Sequence, residues 1–303
     1  MSSVLAWLGV WLLAAGWLLL TDFYLPADGR GWALVAGGIL LLILATLRVR
    51  WQPRDLEAAP APRRAGQISP LVLDPWIYLL VPPLVLAAVI WPTPFRAGPL
   101  LLLAALLVML PLVLARGRAP SLLRWLTPLG LGLALAGAVW IAQGGAVVAY
   151  WWLGARYHEV SAFTPLLHGL ARGLSWTAGS SEGSLFLPHI EGMLAATTTW
   201  ERLGAFPALL LSAGGLVLLP LARRQSARQL AVRALAALAV GIGYLLLRYL
   251  ALTAVLAISR DPMLFWLPSA MAMTFLPLAL LLARILPLRG SLAAVTISEG
   301  PQS

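Results

Sequence analysis

Cysteine and lysine are both missing from this 303-residue chain, and charged residues of either sign are scarce at 11%. Without Cys there is no disulfide, thiolate nucleophile, zinc knuckle or Cys-ligated cluster, and thiol usage says nothing about redox compartment. The low charge, set against 61% hydrophobic residues, excludes an ordinary soluble domain. All 21 basic residues are Arg, and with 11 acids they leave a formal charge of +10. A basic balance often points to nucleic acid, but here the Arg residues punctuate apolar runs and form no basic stripe. Nucleic acid is therefore excluded as a partner, and the lipid bilayer takes its place.

A helix needs about 20 mostly apolar residues to cross a hydrocarbon core of roughly 30 Å. Eight runs qualify, at residues 4–20, 32–47, 71–91, 99–115, 126–143, 205–221, 234–257 and 263–285. The expected fold is all-α, a polytopic transmembrane helix bundle of about eight spans with an interfacial helix on the outer face. Met1, Ser2 and Ser3 supply no positive n-region, and residues 21–24 give no small-residue cleavage pattern, so the first run is expected as a retained span. Counting charge by side sets the orientation. With the N-terminus in the cytoplasm, fourteen Arg face inward with three acids, and six Arg face outward with seven acids. Both termini are then cytoplasmic, as in a multi-pass protein of a bacterial inner membrane.

The same scan divides the chain. Residues 1–52 form a two-span hairpin, and the Pro-, Ala- and charge-rich stretch 53–68 reads as a cytoplasmic linker. Residues 69–143 make a three-span unit, 144–204 an external segment, 205–289 a second three-span unit and 290–303 a frayed cytoplasmic tail. No inverted repeat of the transporter kind is visible.

The external segment holds all three His residues with Glu159, Glu182, Glu191, Glu201, Arg156 and Arg172. A connection this long is functional or disordered, and this one is too apolar for disorder. Tyr150, Trp151, Trp152 and Tyr157 resemble an aromatic belt at the outer headgroups. From Val160 to Trp176 apolar residues recur at helical spacing, which predicts an interfacial helix with Pro165 in its first turn. On its polar side His168 and Arg172 lie one turn apart, spaced to bind a substrate phosphate or carboxylate or to form a solvated face. After a turn-rich stretch, Pro188 suits the first position of another helix, with Glu191 favoured by its dipole. His189 and Glu191 would diverge on a helix and share a face if extended. Three or four metal ligands could be drawn from His158, Glu159, His168, His189, Glu191 and Glu201, but no HExxH-type pair fixes two on one face. Neither metal nor cofactor is expected.

Arg248 lies inside the seventh run, in its outer half. A charge there is costly unless it is paired or faces a wet cavity. It can form a structural pair with Glu191 or Asp261, snorkel outward, or serve a site on the outer face; Glu191 to Arg248 is the first pairing to test.

Residues 160–285 resemble the exosortase/archaeosortase family. The amphipathic stretch Pro165–Leu174 precedes a Gly/Ser turn, then Leu185-Phe-Leu-Pro-His-Ile-Glu-Gly192 is similar to the family's strand-like lead into a Cys-x-Gly motif. Tyr244-Leu-Leu-Leu-Arg248-Tyr is similar to its Asn-x-x-Arg helix. The resemblance implies a membrane enzyme of about eight spans that processes C-terminal sorting signals on the outer face. Matching Gly192 to the family glycine puts Ile190 at the nucleophile position, and no His follows His189. Of the family's catalytic positions, Arg248 alone carries over.

Three functional classes follow. In the first, His189, Glu191 and Arg248 line an outer cavity for a protein C-terminal sorting segment or a lipid-linked substrate, with His189 or Glu191 as general base and Arg248 on a carboxylate or oxyanion. The second is a non-enzymatic subunit or assembly factor whose Trp-rich surface meets other membrane subunits. The third is a lipid-phosphate-dependent glycosyl transferase using Asp22 or Asp28.

Overall fold

Helices that are apolar on every side cannot be sorted by hydrophobicity inside a bilayer; small residues, close packing and hydrogen bonding decide which of them meet. The computed structural model describes residues 2–20, 29–50, 75–90, 96–114, 126–152, 164–173, 179–181, 184–189, 192–197, 199–218, 227–259 and 272–286. These are almost entirely helical. In chain order come α1 (Ser2–Leu20), α2 (Gly29–Arg50), a 3-10 turn (Pro75–Leu80), α3 (Val81–Ile90), α4 (Ala97–Leu114), α5 (Leu126–Trp152) and α6 (Thr164–Gly173). Then follow strands β1 (Gly179–Ser181), β2 (Ser184–His189) and β3 (Gly192–Thr197), and helices α7 (Trp200–Leu203), α8 (Ala205–Leu218), α9 (Ala227–Ser259) and α10 (Leu276–Ile285). Four helices, α1, α2, α5 and α9, are long and apolar enough to cross a membrane. Residues Tyr78–Ile90, Ala97–Pro111, Ala205–Leu218 and Ala272–Ile285 form shorter apolar helices.

Of the α1 span, 61% is buried, against 22% for α9, which makes α1 the axis of the bundle and α9 a flank. α1 packs on α2, α5, α8 and α10, and Val10, Leu13 and Trp17 are fully buried along it. Glycines set these contacts. A Cβ added at Gly38 would lie 2.9 Å from the Gly9 carbonyl oxygen, so α1 and α2 touch backbone to backbone. Gly215 of α8 receives the Trp7 ring of α1, which a Cβ would meet at 2.3 Å. Polar side chains then tie the helices together. Trp11 Nε1 donates to Ala272 O at 2.8 Å, and Thr46 of α2 donates to Pro128 O of α5 at 2.8 Å. The buried amide of Gln143 reaches Val10 O and Leu210 O, each at 3.4 Å, while Trp17 stacks on Trp140 with centroids 4.7 Å apart.

Two features depart from the sequence expectations. α5 continues through Trp152, past the expected end at residue 143, because Gln143 is taken up by carbonyls of α1 and α8 and the following Ala146 and Val147 are buried. The second is a three-stranded antiparallel sheet, ordered β1-β2-β3, where an all-α fold was expected. Pro188 does not start a helix; it pairs with Met193 inside β2. β1 reaches only as far as Phe186, so Pro188 lies past its end, where a missing N–H leaves no gap on that edge.

The amphipathic helix expected between Val160 and Trp176 is present over the shorter stretch α6, with Pro165 in its first turn. Thr164, Leu167 and Ala171 are buried. Leu167 and Ala171 join Leu203 of α7 and Tyr249, Leu250 and Leu252 of α9 in a second apolar cluster. Leu166 and Leu170 stay exposed on one side of this seam, with His168 half-buried and Arg172 exposed on the other. The linker 53–68, the tail 290–303, Asp22, Asp28, Tyr157, His158, Glu159 and Asp261 lie outside the described residues.

Candidate functional site

Arg248 lies where α9 meets α7, α8 and the segment leading into α10. It is 4% exposed. Among the described residues it is held by backbone oxygen, one hydroxyl and one aromatic face. Nη1 donates to Arg202 O and Leu203 O, both at 3.1 Å. These are the last carbonyls of α7, which a helix end leaves without intrahelical partners. Nε donates to Thr274 Oγ1 at 2.8 Å. The guanidinium carbon lies 4.9 Å from the centroid of the Phe275 ring, a cation–π distance. Nη2 is buried and has no hydrogen-bond partner among the described residues.

The local sequence explains how α7 can come so close. Thr199 caps the turn, its Oγ1 accepting from Arg202 N at 3.2 Å. Gly204 ends it at φ +83°, a conformation that L side chains rarely adopt. A Cβ at Gly204 would stand 2.8 Å from both Arg248 Nη1 and the Phe275 ring, so glycine is needed there for space as well as for backbone. On the far side, the helix containing Thr274 is interrupted at Phe275. Phe275 is the N-cap of α10 without a side-chain cap, and Pro277 follows in the first turn. The interruption leaves backbone oxygens for side chains to find: Tyr244, one turn before Arg248, donates its hydroxyl to Thr274 O, and Trp11 donates to Ala272 O.

The other candidates are distributed around this point. His189 is the final residue of β2, paired with Gly192, and β2 packs on α9, the helix that carries Arg248. Glu191 lies outside the described residues, as does the Glu191 to Arg248 pairing. His168 and Arg172 share α6, one turn apart on its open side, and α6 rests on α9 through its opposite face. Among the described residues no three His, Asp or Glu side chains group as metal ligands. The sequence reading missed Tyr244, Thr274, Phe275 and Gly204. Tyr244 sits at i−4 from Arg248 and was findable by helical spacing; Pro277 was the signal for the interruption near Phe275. No family model matches the chain, and comparisons with curated proteins and with solved structures give no match.

Proposed function

We propose that this chain is a multi-pass protein of a bacterial inner membrane, with eight spans and both termini in the cytoplasm, related in design to the exosortases. Its polar site faces outward and takes a protein C-terminal segment or a lipid-linked substrate without thiol chemistry. The four long apolar helices and the four shorter ones coincide in position with the eight runs, which supports the span count. The observation that carries the reading is the buried guanidinium of Arg248: three of its contacts are spent on structure, and Nη2 has no hydrogen-bond partner among the described residues. A cation kept inside a membrane protein at such cost marks a functional locus by default. In this scheme His189 or Glu191 removes a proton from the attacking group, and Nη2 of Arg248 holds the substrate carboxylate or the developing oxyanion. His168 and Arg172, on the open side of α6, meet the substrate's anionic portion at the headgroup level.

The test compares C-terminal peptides of envelope proteins, by mass spectrometry, in cells carrying wild type, Glu191→Gln or Arg248→Ala at equal membrane levels. Loss of one oxyanion donor predicts a drop in processing of about a hundredfold or more for Arg248→Ala. Identical C-terminal peptides in all three strains would sink the enzymatic reading. They would favour the second one, a subunit of a membrane complex. That reading draws on the open flanks of the bundle, since α3 has no buried residue and α9 exposes Val232, Leu235, Leu238 and Ile242.

A further inference from the structure

The sheet beside α9 has two edges, and the chain treats them differently. Strand β1 is three residues long, and α6 packs on it as well as on β2. Short length and a covering helix are two of the ways in which a sheet edge is kept from pairing with other chains. Strand β3 has neither. It runs for six residues, Gly192–Thr197, without a charged residue or Pro, and among the described elements it packs chiefly on β2. The register fixes which way its main-chain groups point. Two residues separate His189 from its partner Gly192, and the pair that closes so short a hairpin exchanges hydrogen bonds. Alternation along the ladder then makes Leu187 with Leu194 and Leu185 with Ala196 the other bonded pairs. Pro188, which has no N–H to give, falls with Met193 on an unbonded pair, as this alternation requires. The first hairpin, closed by Ser181 and Ser184, turns Ser184 and Phe186 toward β1, so the two hairpins agree. The N–H and C=O groups of Met193, Ala195 and Thr197 therefore point away from β2, and no described strand meets them.

We infer that the outer edge of β3 docks an extended, proline-free peptide segment of another protein, which joins the sheet as a fourth strand. Docking of this kind rests on the outer-face site proposed above for a protein C-terminal segment, and it adds the way in which that segment is held. Met193, Ala195 and Thr197 present their donors and acceptors at intervals of about 7 Å, the two-residue repeat of a strand. Another extended main chain repeats its own groups at the same interval, whereas a sugar or a lipid headgroup does not. Position favours a substrate segment in particular. Thr199, two positions past the end of β3, caps α7, and the last carbonyls of α7 hold Arg248. On the other side of β3, β2 ends in His189 and packs on α9. A segment laid along β3 is thereby brought beside the elements that carry Arg248 and His189. Main-chain pairing makes little demand on side chains, so segments of different sequence are accepted as long as no Pro interrupts them.

The experiment uses the full chain in detergent and a capped six-residue peptide of alternating Thr and Val as the probe, with amide hydrogen exchange read residue by residue. Without probe, the amides of Met193, Ala195 and Thr197 are expected to exchange faster than those of Leu194 and Ala196, which β2 already pairs. At a probe concentration ten times its Kd, the fast set should slow by about tenfold. The same peptide methylated on every amide nitrogen keeps its side chains and loses its donors, and should give no protection. Ala195→Pro removes an outward N–H and leaves the bonds to β2 in place. It should weaken the probe about tenfold, read at Met193 and Thr197. If Ala195→Pro does not fold, the wild-type pattern and the methylated peptide still decide. Equal protection by the methylated peptide, an unchanged affinity in a folded Ala195→Pro, or no response in wild type would overturn docking at this edge. Slow exchange at Met193, Ala195 and Thr197 before any probe is added would overturn it too: independent of chain concentration, it means that the chain covers its own edge, and rising with concentration, that a second copy does. Exchange reports docking whether or not a bond is cut, so its failure is distinct from a failure of processing, which the comparison of C-terminal peptides measures.

Discussion

At the scale of single residues, Arg248 was legible because it breaks the apolar rule of its span, and its partners were not. Sequence reasoning sought a carboxylate for it, in Glu191 or Asp261. The described contacts are main-chain oxygens of Arg202 and Leu203, the Thr274 hydroxyl and the Phe275 ring. Carbonyl acceptors carry no residue signature, so no motif could have announced them. Gly204 is the residue on which this arrangement turns. Gly204→Ala forces a side chain into the left-handed region, at roughly 1 to 2 kcal/mol, and pushes a methyl group against Arg248 and Phe275. The expected outcome is a lower unfolding midpoint in detergent together with weaker processing. A variant that melts and works like wild type would show that α7 does not need glycine at its end.

Among secondary-structure elements, the long helices could be read directly from apolar run length, and the boundaries of α1, α2 and α9 fall within a few residues of expectation, apart from the start of α9. The sheet could not. Leu185, Phe186 and Leu187 run on without alternation into Pro188, which is also how a buried helix entry looks, and Gly192–Thr197 is rich in Ala, a poor strand former. Only pairing between the two segments decides the matter, and pairing is not a local property. α6 was legible as an amphipathic helix, but not that its buried face rests on α7 and α9. The contact between α1 and α8 offers an element-scale test. Gly215→Val places new carbons inside the volume of the Trp7 ring, and overpacking of this kind costs about 1 to 3 kcal/mol. The two helices should separate, seen as a lower melting temperature and greater exposure of Trp fluorescence to lipid-borne quenchers. Unchanged quenching would mean that Trp7 can turn aside without loss.

For the whole molecule, the proposed side of each connecting segment rests on the Arg distribution, through the excess of Lys and Arg that cytoplasmic loops carry. The absence of Cys makes that arrangement testable without background. Single replacements Gly29→Cys and Ser259→Cys, at the start of α2 and the end of α9, should react with a membrane-impermeant maleimide on intact spheroplasts. Ala227→Cys, at the start of α9, should react only after permeabilisation. Any reversal among these three would overturn the eight-span arrangement. How the spans meet was less legible, since it depends on which glycine faces which ring. The position of α1 at the axis carries a consequence for biosynthesis. The hydrogen bond from Trp11 to Ala272 joins residues 261 positions apart, and at ordinary elongation rates that separation is roughly ten seconds to a minute of translation. During that interval α1 must wait in the bilayer with the surface meant for α10 uncovered. A chain truncated before α10 would therefore leave a bundle whose axis is still open on one side.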